Sequence, residues 1–341
     1  MDDFRVGLFR RIFILACATT YCCVLSTTTL AGELGKATLS EKFIEILGGR
    51  LMVRMPQGAK IEARPFDIMS APESEEHETR VVFVAGQERL VLMAHENFAF
   101  ADDDFEKDMR EWVAKWSGKY RIETLQPPTM GLKAVRVPLN APDHSRSDDA
   151  TFVEGLLVES ADRTIQSLDV YVNAAAEKDL EGCKAVAHRI LLSVAPGKKK
   201  LQLAAGERRL FAYSKDLEIS ITVPKNTVAT KQDGPDFLVH RLIVLGRLGA
   251  DSGSIGIYVG GHPSFKPGAK RGEGMIFGQN VEWHSFEQGG GLEALGKLPI
   301  PGDIPLFAHV WVQAPNDAQL GALKQASESM KLVDVKEPAS R

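Results

Sequence analysis

The sequence predicts an α+β protein of two duplicated domains, each an antiparallel sheet with a C-terminal amphipathic helix packed on it. The first observation is that residues 170–174, VYVNA, return 140 positions later as residues 310–314, VWVQA. The second is that apolar residues at helical spacing follow both segments. The third is that an alternating strand pattern ending in proline occurs twice, at residues 50–56 and 218–224.

The first 31 residues predict an export signal. Arg5, Arg10 and Arg11 precede an apolar run at residues 12–25, and small residues follow it up to Ala31. We predict cleavage after Ala31, by either the Sec or the twin-arginine route, and a periplasmic or secreted mature protein. A membrane anchor is the alternative, but the run is shorter than the ~20 residues that span a bilayer.

Composition and charge narrow the classes of partner. The formal net charge of −4 is spread over a mixed sequence, and 44% of the residues are hydrophobic. A protein that binds nucleic acid or an anionic membrane is expected to carry a basic face, and none is apparent. We therefore expect no nucleic-acid partner and no stable membrane insertion after signal cleavage. A mature chain of about 310 residues has the length of two domains.

Cysteine usage predicts a protein without internal disulfides. Cys17, Cys22 and Cys23 belong to the predicted signal, so the mature chain retains Cys183 alone. Cys183 lies on the apolar stripe of the first closing helix, and Leu323 holds the matching position in the second. This match favours a buried side chain, since leucine cannot replace a nucleophile. The alternative is a reactive thiol.

The elements that precede the repeated segments follow in order. Residues 39–47 predict a short first helix, because a serine can cap its start and two glycines follow its end. After the proline-ended strand, apolar residues at 80–85 and 89–94 predict a hairpin with a three-residue turn. The corresponding strands of the second copy are predicted at residues 239–245 and 254–259.

The first copy is predicted to carry an additional helix at residues 103–117. The His-x-x-Phe motifs that begin at His95 and His262 are 167 residues apart, whereas the repeated segments are 140 apart, so the first copy has 27 additional residues between these landmarks. Large apolar side chains occur there at helical spacing: Phe105, Met109, Trp112, Val113 and Trp116. Residues 266–274 of the second copy are rich in glycine and proline, which predicts a loop.

These patterns divide the chain into five parts. The signal peptide occupies residues 1–31, the first domain 32–196, a linker 197–207, the second domain 208–335 and a short tail 336–341. The linker begins with Gly197 and three lysines, and such a charge run is usually solvated surface.

His95 and His262 are the first pair of candidate binding residues. Their matching motifs follow matching strands, so both imidazoles could reach one inter-domain cleft, as a metal site or an acid–base pair requires. The alternative is that duplication carried a partly exposed histidine into both copies. Because structural zinc generally needs four ligands and no third ligand is apparent, we predict no metal or other cofactor.

Trp112, Trp116 and His144 are the remaining candidates. The tryptophans either pack the predicted helix onto its own sheet or remain exposed as anchors for a partner. Helical spacing favours the core interpretation for Trp112, whereas Trp116 lies at the helix end. His144 lies in a polar, turn-rich stretch that is typical of an exposed hairpin tip.

A resemblance to a known family follows from residues 53–56, VRMP, residues 221–224, ITVP, and the two closing helices. A strand that ends in proline, a hairpin, further antiparallel strands and a C-terminal amphipathic helix together resemble the PsbP-like α/β sandwiches. The resemblance implies tandem domains at about residues 39–196 and 208–335 and a binding or accessory role. The architecture also resembles that of the two-lobed exported immunity proteins that neutralise lipase toxins.

We predict an exported, non-enzymatic binding or accessory protein that interacts with another exported protein. The sequence has no nucleophile elbow, zinc-protease motif, Cys-x-x-Cys pair or phosphate-binding loop. Two alternatives stay open. One is an exported hydrolase with His95, His262 or His284 as the base in an inter-domain cleft, and the other is an immunity-type inhibitor of a secreted lipase toxin.

Overall fold

The computed structural model shows mostly antiparallel sheet with three short α-helices among the residues that it describes. This agrees with the predicted α+β class in its coarse form. The described residues are 32–62, 77–116, 123–124, 131–139, 150–174, 179–214, 216–250, 252–286, 290–300 and 305–335. The predicted signal peptide, His144 and the predicted tail therefore lie outside the described residues.

The first half of the chain contains ten strands and two α-helices in its described part. The strands are β1 (Leu39–Ile46), β2 (Leu51–Pro56), β3 (Lys60–Glu62), β4 (Glu78–Ala85), β5 (Glu88–Phe100), β6 (Glu123–Thr124), β7 (Lys133–Leu139), β8 (Phe152–Glu159), β9 (Thr164–Asn173) and β10 (Ala195–Pro196). The helices are α1 (Phe105–Trp116) and α2 (Leu180–Leu192). Both helices occur where helical spacing was expected.

The second half contains eleven described strands and one α-helix. The strands are β11 (Gly206–Ser214), β12 (Leu217–Val223), β13 (Thr227–Asp233), β14 (Phe237–Val244), β15 (Gly246–Arg247), β16 (Ser254–Gly260), β17 (Pro267–Ile276), β18 (Gln279–Phe286), β19 (Gly291–Lys297), β20 (Phe307–Gln313) and β21 (Lys331–Asp334). The helix is α3 (Asp317–Glu328), and Asn316 caps its start by accepting a hydrogen bond from the Gln319 backbone N–H.

Each half has one large and one small sheet with the same strand order. The large sheets run β3-β4-β5-β9-β8-β7-β6 and β13-β14-β16-β20-β19-β18-β17. The small sheets run β1-β2-β10 and β11-β12-β21. Taken in chain order, the strands of the two halves correspond one to one, apart from β15, which pairs with β5.

A hydrophobic core lies on one face of each large sheet, which we call the inner face. In the first half the core includes Cys183 and Ile190 of α2, and in the second it includes Leu323 of α3 and Met330 just after it. All four side chains are buried. The apolar stripes identified in the sequence therefore contribute to the two cores.

Helix α1 lies on the opposite, outer face of the first large sheet. Phe105, Met109 and Val113 are buried there against four sheet residues, Val135, Val137, Leu157 and Ile165. Trp112 is partly buried against the same cluster, in keeping with its interpretation as a core residue. The side chain of Trp116 lies outside the described part of the chain.

Two local predictions were wrong because strand pairing overrode local sequence preference. Residues 39–47, expected to be helical, form β1 and then a short turn, since Gly48 and Gly49 adopt positive φ and return the chain into β2. Residues 266–274, expected to form a loop, lie largely in β17, which pairs with β18. Register shifts in that ladder accommodate the glycine-rich segment.

The residues predicted as a linker are bound to the first half by hydrogen bonds. Gly197 N–H donates to the Arg50 carbonyl at 2.7 Å, and Leu201 N–H donates to Asp162 Oδ2 at 2.9 Å. Further along, β15 pairs in parallel with the last two residues of β5, and Arg247 Nε lies 2.9 Å from Asp102 Oδ1. Residues 31–341 form one compact unit.

Candidate functional site

The structure places His95 and His262 in different ladder positions. In the β5–β9 ladder His95 lies opposite Ser167. The residue 140 positions after Ser167 is Phe307, which lies opposite Gly260 in the β16–β20 ladder. In the second half, the residue that is structurally equivalent to His95 is therefore Gly260. His262 lies two residues beyond the end of β16.

The surroundings of these two histidines also differ. His95 Nδ1 is 3.8 Å from Glu78 Oε2, and the His95 side chain is about one-third exposed. His262 is exposed, and its backbone N–H donates to the Tyr258 hydroxyl at 3.1 Å. The sequence motif matched the two residues, whereas cross-strand pairing separates them by two positions.

The outer face of the second large sheet carries a row of six ring side chains, which we call the aromatic row. Strand alternation produces it, because Ala308, Val310 and Val312 fill the inner core and leave the intervening residues of β20 on the outer face. The row consists of Phe237 on β14, Tyr258 on β16, Trp311 and His309 on β20, Phe265 after β16, and His284 on β18.

Ring contacts connect most of the aromatic row. Phe237 stacks on Tyr258 with centroids 5.9 Å apart, and Tyr258 lies opposite His309 in the ladder. His309 contacts Trp311 at 5.4 Å on one side and the edge of Phe265 at 5.4 Å on the other. Phe265 in turn meets His284 at 5.9 Å. These separations lie in the range of favourable aromatic pairs.

Two glycines let the rings lie against the sheet. A Cβ on Gly256 would overlap Cε2 of Trp311, so the indole covers the backbone of β16 at that point. A Cβ on Gly260 would likewise overlap the hydroxyl of Tyr258. Glycine is needed at both positions because the rings approach the backbone closely.

A buried histidine–carboxylate pair supports the middle of the row. His309 Nε2 lies 2.7 Å from Glu293 Oε2, and the side chains are 11% and 7% exposed. Burial lowers the pKa of His309, although the contact with Glu293 acts in the opposite direction. The neutral imidazole therefore prevails at neutral pH and donates through Nε2–H to the carboxylate, which fixes the ring orientation.

Charged side chains border the row at the β17–β18 edge. Lys270 Nζ lies 2.6 Å from Glu282 Oε1 and 2.9 Å from Glu273 Oε1. Hydrogen bonds to these carboxylates raise the pKa of Lys270. His284 Nδ1 is 3.2 Å from the Gly268 carbonyl oxygen and its Nε2 is 3.6 Å from Glu282. The aromatic surface thus ends in a mixed-charge edge.

The outer face of the first large sheet differs in the corresponding region. There α1 covers apolar residues of β7 and β8, whereas the outer faces of β18 and β19 carry Asn280, Glu282 and Lys297, all exposed. Tyr171 and Asp169 stand 140 positions before Trp311 and His309. Because the residues at this edge of the second sheet are polar, no helix is needed to cover them. No helix among the described residues lies over the aromatic row.

Cys183 lacks the properties of a reactive thiol. Its side chain is fully buried, and Sγ lies 3.8 Å from Glu88 Oε1. Burial, together with the nearby carboxylate of Glu88, raises the thiol pKa to about 12. The thiol is therefore protonated at neutral pH, which supports its interpretation as a buried helix residue.

Two further histidines contact neighbouring groups. His188 Nδ1 contacts Glu154 at 3.0 Å, and His240 Nε2 contacts the Phe211 carbonyl oxygen at 2.8 Å. Among the residues that the structure describes, no group of three or more His, Cys, Asp or Glu side chains is arranged to hold a metal ion. None of the described helices is long and apolar enough to cross a membrane.

In its described residues the protein is mostly antiparallel sheet with three short α-helices, and an aromatic surface lies on the second large sheet. No family model matches the chain, and neither a curated protein nor a solved structure matches it significantly. The PsbP-like resemblance and the resemblance to immunity proteins therefore stay predictions.

Sequence reasoning missed most of the aromatic row. Trp311 was noted as part of a repeat and Phe265 as part of a motif, but Phe237, Tyr258 and His309 were not singled out. A usable signal was present in β20, where Phe307, His309 and Trp311 alternate with small or branched core residues. Large rings on the expected solvent face of a strand are a reason to look for a binding surface.

Proposed function

We propose that the protein is an exported, non-enzymatic binding protein that holds another exported protein against the aromatic row. The observation that carries this proposal is the row itself. Phe237, Tyr258, Trp311, Phe265 and His284 are each partly exposed and lie on the outer face of a sheet, in a region where the described residues place no helix.

The dimensions of the row favour a protein partner over a small molecule. It extends from β14 to β18, which are four strand spacings apart, or about 19 Å. Its rings are stacked, tilted or edge-on to one another, and they extend across the sheet. Protein interfaces are enriched in tyrosine, tryptophan and phenylalanine, with polar residues at the rim, and the Lys270–Glu282 edge supplies such a rim.

We also propose that the two halves arose by duplication and then diverged in function. The shared strand order and the two closing helices support this origin. In the first unit α1 closes part of the outer face and so completes a second small core. In the second unit the outer face took on aromatic residues for binding. The first unit is then the scaffold and the second the recognition unit.

The hydrolase and the lipase-inhibitor alternatives differ in how well the contacts of the histidines support them. A hydrolase needs a histidine within hydrogen-bond reach of a nucleophile. His284 contacts the Gly268 carbonyl oxygen, Glu282 and the Phe265 ring. The lipase-inhibitor alternative is a special case of the binding proposal, with a secreted lipase as the partner.

A capture experiment with matched variants tests the proposal. The mature chain, immobilised, is exposed to the exported fraction of the source cells, and bound proteins are quantified by mass spectrometry. Replacing Trp311 and Phe265 by alanine should weaken capture of the partner about 30-fold or more, as loss of interface hot spots does. Tyr171→Ala, at the matching position of the first half, should leave capture unchanged.

The folded state of each variant is checked by circular dichroism and thermal unfolding. If the Trp311 and Phe265 variant is folded and still captures the same proteins with equal affinity, the aromatic row is not the binding surface. If the wild-type chain hydrolyses ester or peptide substrates and His284→Ala abolishes that activity, the non-enzymatic assignment is wrong.

A further inference from the structure

The chain is held firmly against helix α2 directly after the predicted cleavage site. Leu34 is fully buried, and its backbone N–H donates to Glu88 Oε2 at 2.7 Å. Gly35 packs directly on Gly182 of α2, since a Cβ on either glycine would lie about 3 Å from the other residue's Cα. Glu88 is itself buried. The segment that begins at Gly32 is therefore an integral part of the first core.

Gly32 lies against the carboxylate of Asp179. Its φ is +89°, and a Cβ there would lie 2.7 Å from Asp179 Oδ1 and 3.9 Å from Oδ2, so a larger residue would be both strained and obstructed. Asp179 precedes the first turn of α2, but its side chain makes no capping hydrogen bond. Asp179 Oδ2 is buried and has no hydrogen-bond partner among the described residues.

A buried carboxylate oxygen without a partner is costly, because it has lost its water and gained nothing in exchange. In the uncleaved chain the nitrogen of Gly32 carries a single, neutral peptide N–H. A free amino terminus at Gly32 would offer three N–H donors and a full positive charge at the same place. Charge-assisted hydrogen bonds of this kind are about twice as strong as neutral ones.

We propose that Asp179 is the receptor for the α-ammonium group that signal cleavage creates at Gly32. Hydrolysis of the Ala31–Gly32 peptide bond consumes one water, leaves a carboxylate on Ala31 and releases the amine of Gly32, which takes up a proton. The ammonium then pairs with Asp179. Export processing thereby supplies the missing partner of Asp179 and fastens the new terminus to α2.

The position of Asp179 at the start of α2 adds to its importance. The N-terminus of a helix carries a partial positive charge, which would repel an ammonium group. The Asp179 carboxylate lies at this helix end and close to Gly32, so its negative charge offsets both positive charges. Its removal therefore leaves the ammonium facing the helix end, so the proposed pairing depends on this carboxylate in particular.

Titration of the terminal amine tests the proposal. Because residues 31–341 form a compact unit, the chain 32–341 with a free Gly32 is a suitable sample. The rate of amine acetylation against pH gives the pKa of that amine, which in unstructured chains is about 7.7–8.0. We expect it to be raised by about one unit or more in the wild-type chain and to return to the ordinary range in Asp179→Asn.

Two controls separate charge from structure. The Asp179 side chain makes no capping hydrogen bond and asparagine has nearly the same size, so Asp179→Asn removes the charge without removing a helix cap. Glu181, an exposed acid in the first turn of α2 that pairs with Lys184, is the matched position, and Glu181→Gln should leave the raised pKa unchanged. Acetylating Gly32 should lower the unfolding temperature of the wild-type chain but not that of Asp179→Asn.

The pH dependence of that temperature difference has a defined sign. An amine whose pKa is raised on folding stabilises the folded state at low pH, and the contribution is lost as pH rises through the folded-state pKa. The effect of acetylation should therefore disappear above about pH 10. Equal amine pKa values in wild type and Asp179→Asn, or an exported protein whose terminal residue is not Gly32, would overturn the proposal.

Discussion

The buried ion pair between Arg50 and Glu96 is the sharpest place to perturb the first half. Arg50 Nη1 donates to Glu96 Oε2, and the two side chains are 4% and 0% exposed. Gln166 Nε2 also donates to that oxygen at 3.0 Å, and Arg50 Nε donates to the Leu47 carbonyl at 3.2 Å. Burial raises the pKa of Glu96, although Arg50 and Gln166 act to lower it.

Replacing Arg50 by methionine retains an unbranched apolar side chain and removes the charge. The change leaves Glu96 buried without its cation, which typically costs about 3–5 kcal/mol of unfolding free energy. Without Arg50 the pKa of Glu96 in the folded state rises further above its value in the unfolded chain. The folded state then binds the extra proton more readily, so the loss of stability is largest at high pH and becomes smaller as pH falls through the folded-state pKa.

Urea unfolding of wild type and Arg50→Met at pH 8 and pH 5 measures this effect. The difference between their unfolding free energies should shrink at pH 5. A variant that combines Arg50→Met with Glu96→Gln removes both charges of the pair and retains only the neighbouring Asp162, so its difference from Arg50→Met should follow the ionisation of Glu96. A deficit of under about 1 kcal/mol, or one that is the same at both pH values, would refute the reasoning.

Two further predictions concern the cores. Ile190→Ala and Met330→Ala should each cost about 2–5 kcal/mol in urea unfolding, because both side chains are fully buried. Leu192→Ala on α2 should cost less than either, because that side chain is 37% exposed. Equal effects at all three sites would contradict their placement. Cys183 should react with a thiol reagent at pH 8 only as fast as the chain unfolds, since its pKa is about 12, and rapid labelling of the folded protein would contradict its burial.

Elements with a strong internal period could be predicted from the sequence. The helix expected at residues 103–117 forms at Phe105–Trp116, and the strand expected at 254–259 forms at Ser254–Gly260. Side-chain periodicity reports which face of an element is apolar, and this information is contained within a dozen neighbouring residues. The apolar stripes around Ile190 and Met330 were identified by the same signal.

Elements whose conformation depends on a distant partner were predicted wrongly. Residues 39–47 have acceptable helix signals but form β1, because β2 provides a complete ladder at their side. The glycine-rich segment 266–274 forms a strand because β18 pairs with it. Intrinsic preferences differ by less than about 1 kcal/mol per residue, so pairing and burial readily override them.

The aromatic row depends on the tertiary structure in the same way. Phe265 and His309 are 44 positions apart, and they meet because β20 pairs with β16 at the centre of the sheet. The ladder register, fixed by hydrogen bonds between strands, also placed Gly260 rather than His262 at the position of His95. A shift of register by a single residue reverses the face on which every side chain lies.

The sequence by itself determined the repeated strand and helix patterns, the apolar stripes of α2 and α3, and the expectation of an export signal that ends at Ala31. Each of these follows from the order of side chains over a short stretch. Tertiary structure alone decided which outer face is covered by α1, which rings assemble into the aromatic row, and that Asp179 lies beside Gly32. These features join residues far apart in the chain, and their contacts are set by sheet order and register, which no local pattern specifies.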